Sequence, residues 1–237
     1  MQKKTSIILC TFNEVDFIRN TIELLNNNLN NLEIVVIDDN STDGTIEVLK
    51  NLHQTKNIKY FVRKKNKGLA SAFSRGLIEV SGDYIGWIDA NMGELSSKFN
   101  LMQKQLNNDE SDLIILSRYV KGGGDERDFL RVICSRSLNL FCGFILGSKI
   151  KDYSSSIFLM KRSILNETSL LGYGHGEFFI EFLYQVKKKG FNIKEIPYIQ
   201  TQDTNSKNSK SAPNIFRYFF LGFFYIIRIL LIRFRRN

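Results

Sequence analysis

Cysteine and histidine are scarce, with three and two copies among 237 residues. Cys10, Cys134 and Cys142 form no CxxC pair, and His53 and His175 stand far apart, so neither a zinc site nor a disulfide framework is expected. Cys10 lies inside an apolar run and is expected to pack as a small hydrophobe. The N-terminus carries no apolar leader segment, which together with so little cysteine points to a reducing, cytoplasmic setting. Acids are nearly missing from the other end. From Lys187 onward eleven Lys and Arg face two acids, an excess equal to the net charge of +9, so the first 186 residues are neutral. A basic excess at one end calls for a local anionic partner. Its nearness to an apolar stretch favours lipid head groups over nucleic acid, and no nucleic-acid partner is expected.

What is present suits one large buried core with a tail, since 43% of the residues are hydrophobic. No internal repeat is evident. The runs Thr5 to Cys10, Glu33 to Asp38, Ile58 to Arg63, Tyr84 to Asp89 and Asp112 to Ser117 read as strands, several too uniformly apolar to have a solvated face. Between them Val15 to Leu25, Thr45 to Leu52, Gly68 to Val80 and Ser97 to Leu106 read as amphipathic helices. This alternation predicts an α/β fold, a mainly parallel Rossmann-like sheet with helices on both faces.

In such sheets ligands gather beyond the carboxyl ends of the strands, where loops and helix N-termini present unpaired donors. The polar residues fall at those ends: Thr11, Asn13 and Glu14; Asp38, Asp39 and Asn40; Asp89 and Asn91; Ser117 and Arg118. Adjacent acids at a buried strand end repel each other unless a ligand or cation uses them, which singles out Asp38 and Asp39, with Asp39 as the nucleotide contact. Thr42 and Asp43 read as helix N-caps. In Asp89-Ala90-Asn91 the spacing lets two side chains reach one ion while the Ala90 side chain points away. A diphosphate leaving group needs its charge offset, and a hard divalent cation held by oxygen ligands does this. The small residues of the segment from Lys67 to Gly82 permit close packing of a helix on the sheet. Alternatively, the Gly68 end receives a phosphate with Lys67 as counter-charge.

Taken in order, SIILCTFNE, EIVVIDDNSTDGT, NKGLASAFSRGLIEVSGDYIGWIDA, LSRYVKGGG, SRSLNLFCGFILGSKIKDYSSSIFLMKR and IEFLYQVKKKGFNIKEIPY resemble family 2 glycosyltransferases. The resemblance is to the dolichyl-phosphate mannose synthase and polyprenyl-phosphate glycosyltransferase group. It implies a GT-A fold, a Mg or Mn ion, a GDP- or UDP-linked sugar as donor and a polyprenyl phosphate as acceptor, with inversion at the sugar carbon. By motif position Thr11, Phe12, Glu14, Asp38, Asp39, Lys67 and Ala90 belong to the nucleotide site, and Asp89 and Asn91 to the metal. Arg118, Arg131 and Ser135 match the group that approaches the acceptor phosphate, with Asp89, Arg118 and Arg131 as the catalytic set. The family pattern has Asp where Asn91 stands, Thr-Ser-Gly where Ser154, Ser155 and Ser156 stand, and an Arg and Gly before Ser206 and Lys207 that TQDTNSK lacks. Glu94 is either a replacement carboxylate or an exposed helix-start acid. Ser206 and Lys207 read as a lid over the donor, and His175, in GYGHGE, as a loop residue, with a catalytic role as the lesser alternative because an ionised acceptor phosphate needs little general-base help. A soluble sugar or polysaccharide acceptor and a noncatalytic membrane-binding relative are the rival readings.

Residues 1–212 are therefore expected to form the catalytic domain and residues 213–237 a membrane-associated helix. The stretch from Ile215 to Ile232 would make a helix about 27 Å long, marginal for a bilayer core of roughly 30 Å. On a helical wheel Arg217, Arg228 and Arg235 fall within about 20° of one another. One charged stripe on an apolar cylinder suits a helix lying on a membrane surface with snorkelling arginines; a spanning helix paired with a partner is the alternative, and a core helix comes last.

Overall fold

The computed structural model describes residues 3–170, 172–174, 176–202 and 215–234, the side chains of the last segment from residue 222 onward. The chain begins β1 (Thr5–Thr11), α1 (Val15–Asn28), β2 (Leu32–Asp38), α2 (Thr45–Thr55), β3 (Ile58–Val62), α3 (Leu69–Glu79) and β4 (Tyr84–Trp87). It continues through α4 (Lys98–Asn107), β5 (Leu113–Ser117), the short β6 (Gly124–Asp125), α5 (Phe129–Leu146) and β7 (Phe158–Lys161). It ends with α6 (Glu177–Lys188), β8 (Ile193–Pro197), β9 (Ile199–Gln200) and α7 (Ile215–Phe234).

Seven strands form one sheet in the order β3-β2-β1-β4-β7-β5-β8, and β6 pairs with β9 beside it. Every pairing in the large sheet is parallel except those of β7, which runs antiparallel between β4 and β5. Because strand side chains alternate, the uniformly apolar runs feed two cores at once. Ile8, Val35, Ile37, Ile85, Trp87 and Ile115 face the layer with α3, α5, α6 and α7. Ile7, Leu9, Ile34, Val36, Ile114 and Leu116 face the layer with α1, α2 and α4.

The small residues of α3 do what close packing requires. Ala70, Ala72 and Gly76 are buried, and a Cβ on Gly76 would lie 2.6 Å from Ile8 Cγ2, so the bare glycine leaves the room that the Ile8 side chain fills between helix and strand. The five strands and four helices expected from the sequence are present with ends shifted by one to three residues. The expected boundary between residues 212 and 213 lies outside the described residues.

Helix α7 departs from its expected form. Ile229 and Ile232 are buried in the core shared with α5 and α6. Arg228, placed by the helical wheel in a head-group stripe, is instead paired with α6: Nε and Nη2 donate to Glu181 Oε2 at 3.1 and 3.0 Å, and Nη1 donates to Glu177 Oε1 at 3.4 Å. The reason is that α6 presents two acids, Glu177 and Glu181, to Arg228, and an ion pair at a helix contact outcompetes reaching for a head group. The side chain of Arg217, and Arg235, lie outside the described residues.

Candidate functional site

The loops after β1, β2, β4 and β5 open at one edge of the sheet, and the first two are laced together. Asn13 N–H donates to Ser41 Oγ (2.8 Å) and Glu14 N–H to Thr45 Oγ1 (2.9 Å). Asn13 Oδ1 accepts from Thr42 N–H (2.8 Å). Asp43 accepts from Val15 N–H (3.1 Å) and from Thr45 N–H (3.0 Å), so its carboxylate ties together the starts of α1 and α2, although the N-cap of α2 is Gly44 and neither Thr42 nor Asp43. Asn13 and Asn40 both have positive φ, at 56° and 61°, a conformation asparagine tolerates better than most residues.

The two adjacent acids divide their roles. Asp38 is fully buried and accepts from Thr11 Oγ1 (2.9 Å), Ser41 N–H (2.8 Å) and Ser41 Oγ (2.6 Å). The side chains of Asp38 and Thr11 thus hold the two loops together through each other and Ser41. Asp39 is buried, paired with Arg63 through Nε (2.8 Å) and Nη2, and accepts from Gly68 N–H (2.7 Å). Gly68, at φ +129°, turns that N–H to the carboxylate, which occupies the helix end considered for a phosphate. Lys67 instead places Nζ 5.6 Å from the ring centroid of the exposed Phe12, forming a cationic and aromatic rim.

Asp89 is partly exposed beyond β4. Burial pushes its carboxyl up to about 6, opposed by the hydrogen bond from Ser156 Oγ (3.1 Å) and reinforced by the negative charge of Glu14. The Cys10 thiol is likewise held far above its ordinary value, by burial and then by Asp89, with a further contribution from Asp39. Asp89 and Asp39 therefore both act on Cys10 near the end of β1, and Glu14 acts on Asp89. Ala90 is buried, its carbonyl accepting from Thr21, so it fastens the loop to α1. Asn91 and Glu94 are exposed. Among the described residues no three His, Cys, Asp or Glu side chains converge as a metal site. The donors present, a carboxylate with an amide two residues on, are hard oxygen ligands that fit Mg or Mn whose other positions come from diphosphate oxygens and water.

The group that the sequence reading assigned to the acceptor is built around Arg118, which is only 5% exposed. Its Nε and Nη2 donate to the two oxygens of Asp152 at 2.8 and 2.7 Å, its N–H donates to the same carboxylate at 3.0 Å, and Nη2 also reaches Ser154 Oγ at 2.6 Å. Burial works against the guanidinium charge, but Asp152 outweighs it and raises the pKa above the usual arginine value. Arg118 was expected to meet the acceptor phosphate directly. Here its charge is already matched by a buried carboxylate, a partnership that a separation of 34 residues conceals. Beside it Arg127 pairs with Asp125 at 2.8 and 2.7 Å, a residue sequence reasoning missed although its spacing of two in DER is visible. Ser135, on α5, accepts from Tyr119 Oη (2.8 Å) and lies 3.3 Å from Ser154 Oγ, which links it to Arg118. Arg131, one turn earlier on α5, is 4.0 Å from Asp128. His175, Ser206 and Lys207 lie outside the described residues.

Exposed apolar side chains flank this group. Phe129, Leu130, Ile133, Leu140 and Phe144 on α5 are 44–85% exposed. Among the described residues α5 is the one helix long and apolar enough to cross a membrane. On α7 Phe223, Ile226, Ile227, Leu230, Leu231 and Phe234 are also exposed, on the side opposite Ile229 and Ile232.

Comparison with known proteins agrees with this architecture. The chain is 31% identical over 91% of its length to a dolichol-phosphate mannosyltransferase of Pyrococcus furiosus, and 28% identical over 49% to a cholesterol galactosyltransferase of Borreliella burgdorferi. It spans 61% and 33% of those relatives. Crystal structures of glucosyl-3-phosphoglycerate synthase from Mycobacterium tuberculosis, one with uridine diphosphate and one with Mn2+, uridine diphosphate and phosphoglyceric acid, superpose with TM-scores of 0.70 and 0.71. They are 18% and 17% identical and match over 98% of this chain and 80% and 78% of theirs, which shows a shared GT-A fold. The family model for glycosyl transferase family 2 matches residues 6–169, and the chain belongs to that family.

Proposed function

We propose that the chain transfers a hexose from a nucleoside-diphosphate sugar to a polyprenyl phosphate at a membrane surface. The observation that carries the acceptor is the exposed apolar face of α5, which begins at the turn bearing Arg131 and Ser135. A soluble acceptor gives no reason for Leu140 and Phe144, at 76% and 85% exposure, to stand in water beside that turn. The relative named for a dolichol phosphate supports the same acceptor, and the structures holding uridine diphosphate with Mn2+ support the donor class and the metal.

In this reading Phe12 and Lys67 form the rim against the nucleotide, while Asp39 orders the loop through Arg63 and Gly68. Asp89 and Asn91 would hold Mg or Mn, which when bound offsets the charge of the departing diphosphate. Glu14 adds negative charge to that end. Arg131 and Ser135 orient the acceptor phosphate, which is ionised at neutral pH and attacks the sugar carbon without a general base. Arg118 acts indirectly, fixing Ser154 and through it Ser135. The catalytic part faces the cytoplasm, and α5 and α7 lie on the membrane.

The test is transfer from labelled GDP- and UDP-hexoses, with Mg or Mn, to a short prenyl phosphate, the matching prenol and 3-phosphoglycerate. Product is expected with the prenyl phosphate alone, and is abolished by EDTA or Asp89→Ala. Equal or faster transfer to 3-phosphoglycerate would sink the lipid reading.

A further inference from the structure

A further cation, Arg136, stands next to Ser135 in the group around Arg118. Arg118 and Arg127 are matched by Asp152 and Asp125, all four largely buried, so this quartet offers an incoming phosphate no net charge. Arg118 Nη1 also lies 3.6 Å from Asp125, which closes the quartet into one balanced group. Arg131 shares Asp128. Arg136 follows Ser135 directly, is exposed, and has no carboxylate partner among the described residues.

Its guanidinium is nevertheless placed. It lies 5.7 Å from the centroid of the Tyr119 ring, which Arg118 also approaches, at 5.1 Å. Tyr119 Oη in turn donates to Ser135 Oγ at 2.8 Å. One tyrosine therefore braces both the free cation and the hydroxyl next to it, and it rests on the buried quartet rather than on a mobile surface.

The setting of Arg136 along α5 is also informative. Ile133, Arg136, Leu140 and Phe144 follow at spacings of three, four and four, which puts them on one stripe of the helix. The three apolar members are exposed. A cation on a solvent-facing apolar stripe, with Leu140 and Phe144 continuing beyond it, matches an amphiphile with an anionic head and an apolar chain. The rise from Arg136 to Phe144 is about 12 Å, enough for two to three isoprene units.

We propose that Arg136, braced on Tyr119, binds the phosphate monoester of the acceptor in the role expected of Arg118, with the chain laid along Leu140 and Phe144. This rests on the lipid-phosphate reading above, and the experiment separates the two. Binding of a water-soluble prenyl phosphate is measured by calorimetry without vesicles, alongside the prenol and 3-phosphoglycerate, for wild type, Arg136→Ala, Arg136→Lys and Tyr119→Phe. Arg136→Ala is expected to weaken prenyl phosphate binding at least tenfold, with Tm and nucleotide-sugar binding unchanged. Arg136→Lys should recover part of the loss, and Tyr119→Phe should show a smaller loss. Tighter binding of the prenyl phosphate than of 3-phosphoglycerate is expected for wild type, showing that the chain is recognised. If Arg136→Ala binds as wild type does, or changes only partition onto anionic vesicles, the proposal is overturned. If Arg136→Ala loses binding but wild type catalyses no transfer, the functional reading fails and the binding site stands. If wild type binds no prenyl phosphate, both fall.

Discussion

At the scale of single residues, the pairing of Arg118 with Asp152 reverses what substitution there should do. A guanidinium waiting for a substrate phosphate can be removed with little effect on folding. One that satisfies a buried carboxylate cannot, because Asp152, with a side chain 0% exposed, would be left charged and unpaired. Arg118→Ala is expected to cost about 3–5 kcal/mol, a fall in Tm on the order of 10 °C for a chain of this size. Replacing both residues with apolar ones should restore much of it. An unchanged Tm with a large rise in KM for the acceptor would return Arg118 to the phosphate. Glu33 gives a second residue-scale test, at the opposite end of the sheet. Burial raises its pKa, but hydrogen bonds from Ser6, Ser81 and Lys59 outweigh this and hold it at about 2. A depressed folded pKa stabilises the fold above the unfolded value, near 4.5, and that contribution disappears as pH falls toward 2. Glu33→Gln should therefore lower the urea midpoint at pH 7, by about 1.5–3 kcal/mol in free energy, with the gap from wild type narrowing below pH 4.5. A gap independent of pH would show that shape, not charge, matters at this position.

Among the elements, α7 is tied to the rest through buried Ile229 and Ile232 and, among the described residues, through polar contacts of Arg228 and Tyr225. Besides its bonds to Glu177 and Glu181, Arg228 donates to the Tyr173 carbonyl (3.2 Å) and stacks 4.5 Å from that ring. Tyr225 Oη accepts from Gly176 N–H (2.8 Å). The same loop touches α3, since a Cβ on Gly172 would lie 3.0 Å from Ser74 Oγ. Arg228→Ala is expected to raise hydrogen exchange at residues 173–179 and in α7 while leaving β1, β2 and α1 protected, because the contact is local. Uniform loss of protection would mean that α7 is part of the global folding unit. The sequence reading of the elements succeeded where one period dominates: Ile34 to Ile37 and Leu113 to Leu116 are apolar without interruption and could only be buried strands. It did not foresee β7 turning antiparallel, because nothing in Phe158 to Lys161 encodes direction. It described α5 only as a family segment, since exposed Leu140 and Phe144 are indistinguishable in sequence from core residues. The site was legible as strand ends carrying acids and amides. The exchange of partners between Arg118, Asp125, Arg127 and Asp152 depends on burial that no local spacing reveals.

For the whole molecule, the polar cleft and the apolar faces of α5 and α7 belong to one body, since α7 packs on α5 and α6. Transfer to a membrane lipid requires that a water-soluble donor and a membrane-embedded acceptor meet within one site, and a surface of this kind brings the second to the first. Half-burying five large side chains on α5 and six on α7 in the head-group region contributes about 1 kcal/mol each before the cost of immobilisation. Leu140→Asp with Phe144→Asp removes two of these and places two charges against the bilayer. Flotation with liposomes should show vesicle binding reduced on the order of tenfold or more, with Tm unchanged because both residues project into solvent. Transfer to a long-chain prenyl phosphate in vesicles should fall in parallel, while donor binding is retained. A double variant that still floats as wild type does would assign membrane contact to α7 or to chain beyond the described residues. One that floats normally but forms larger or smaller oligomers would show that the α5 face meets a second copy of this protein.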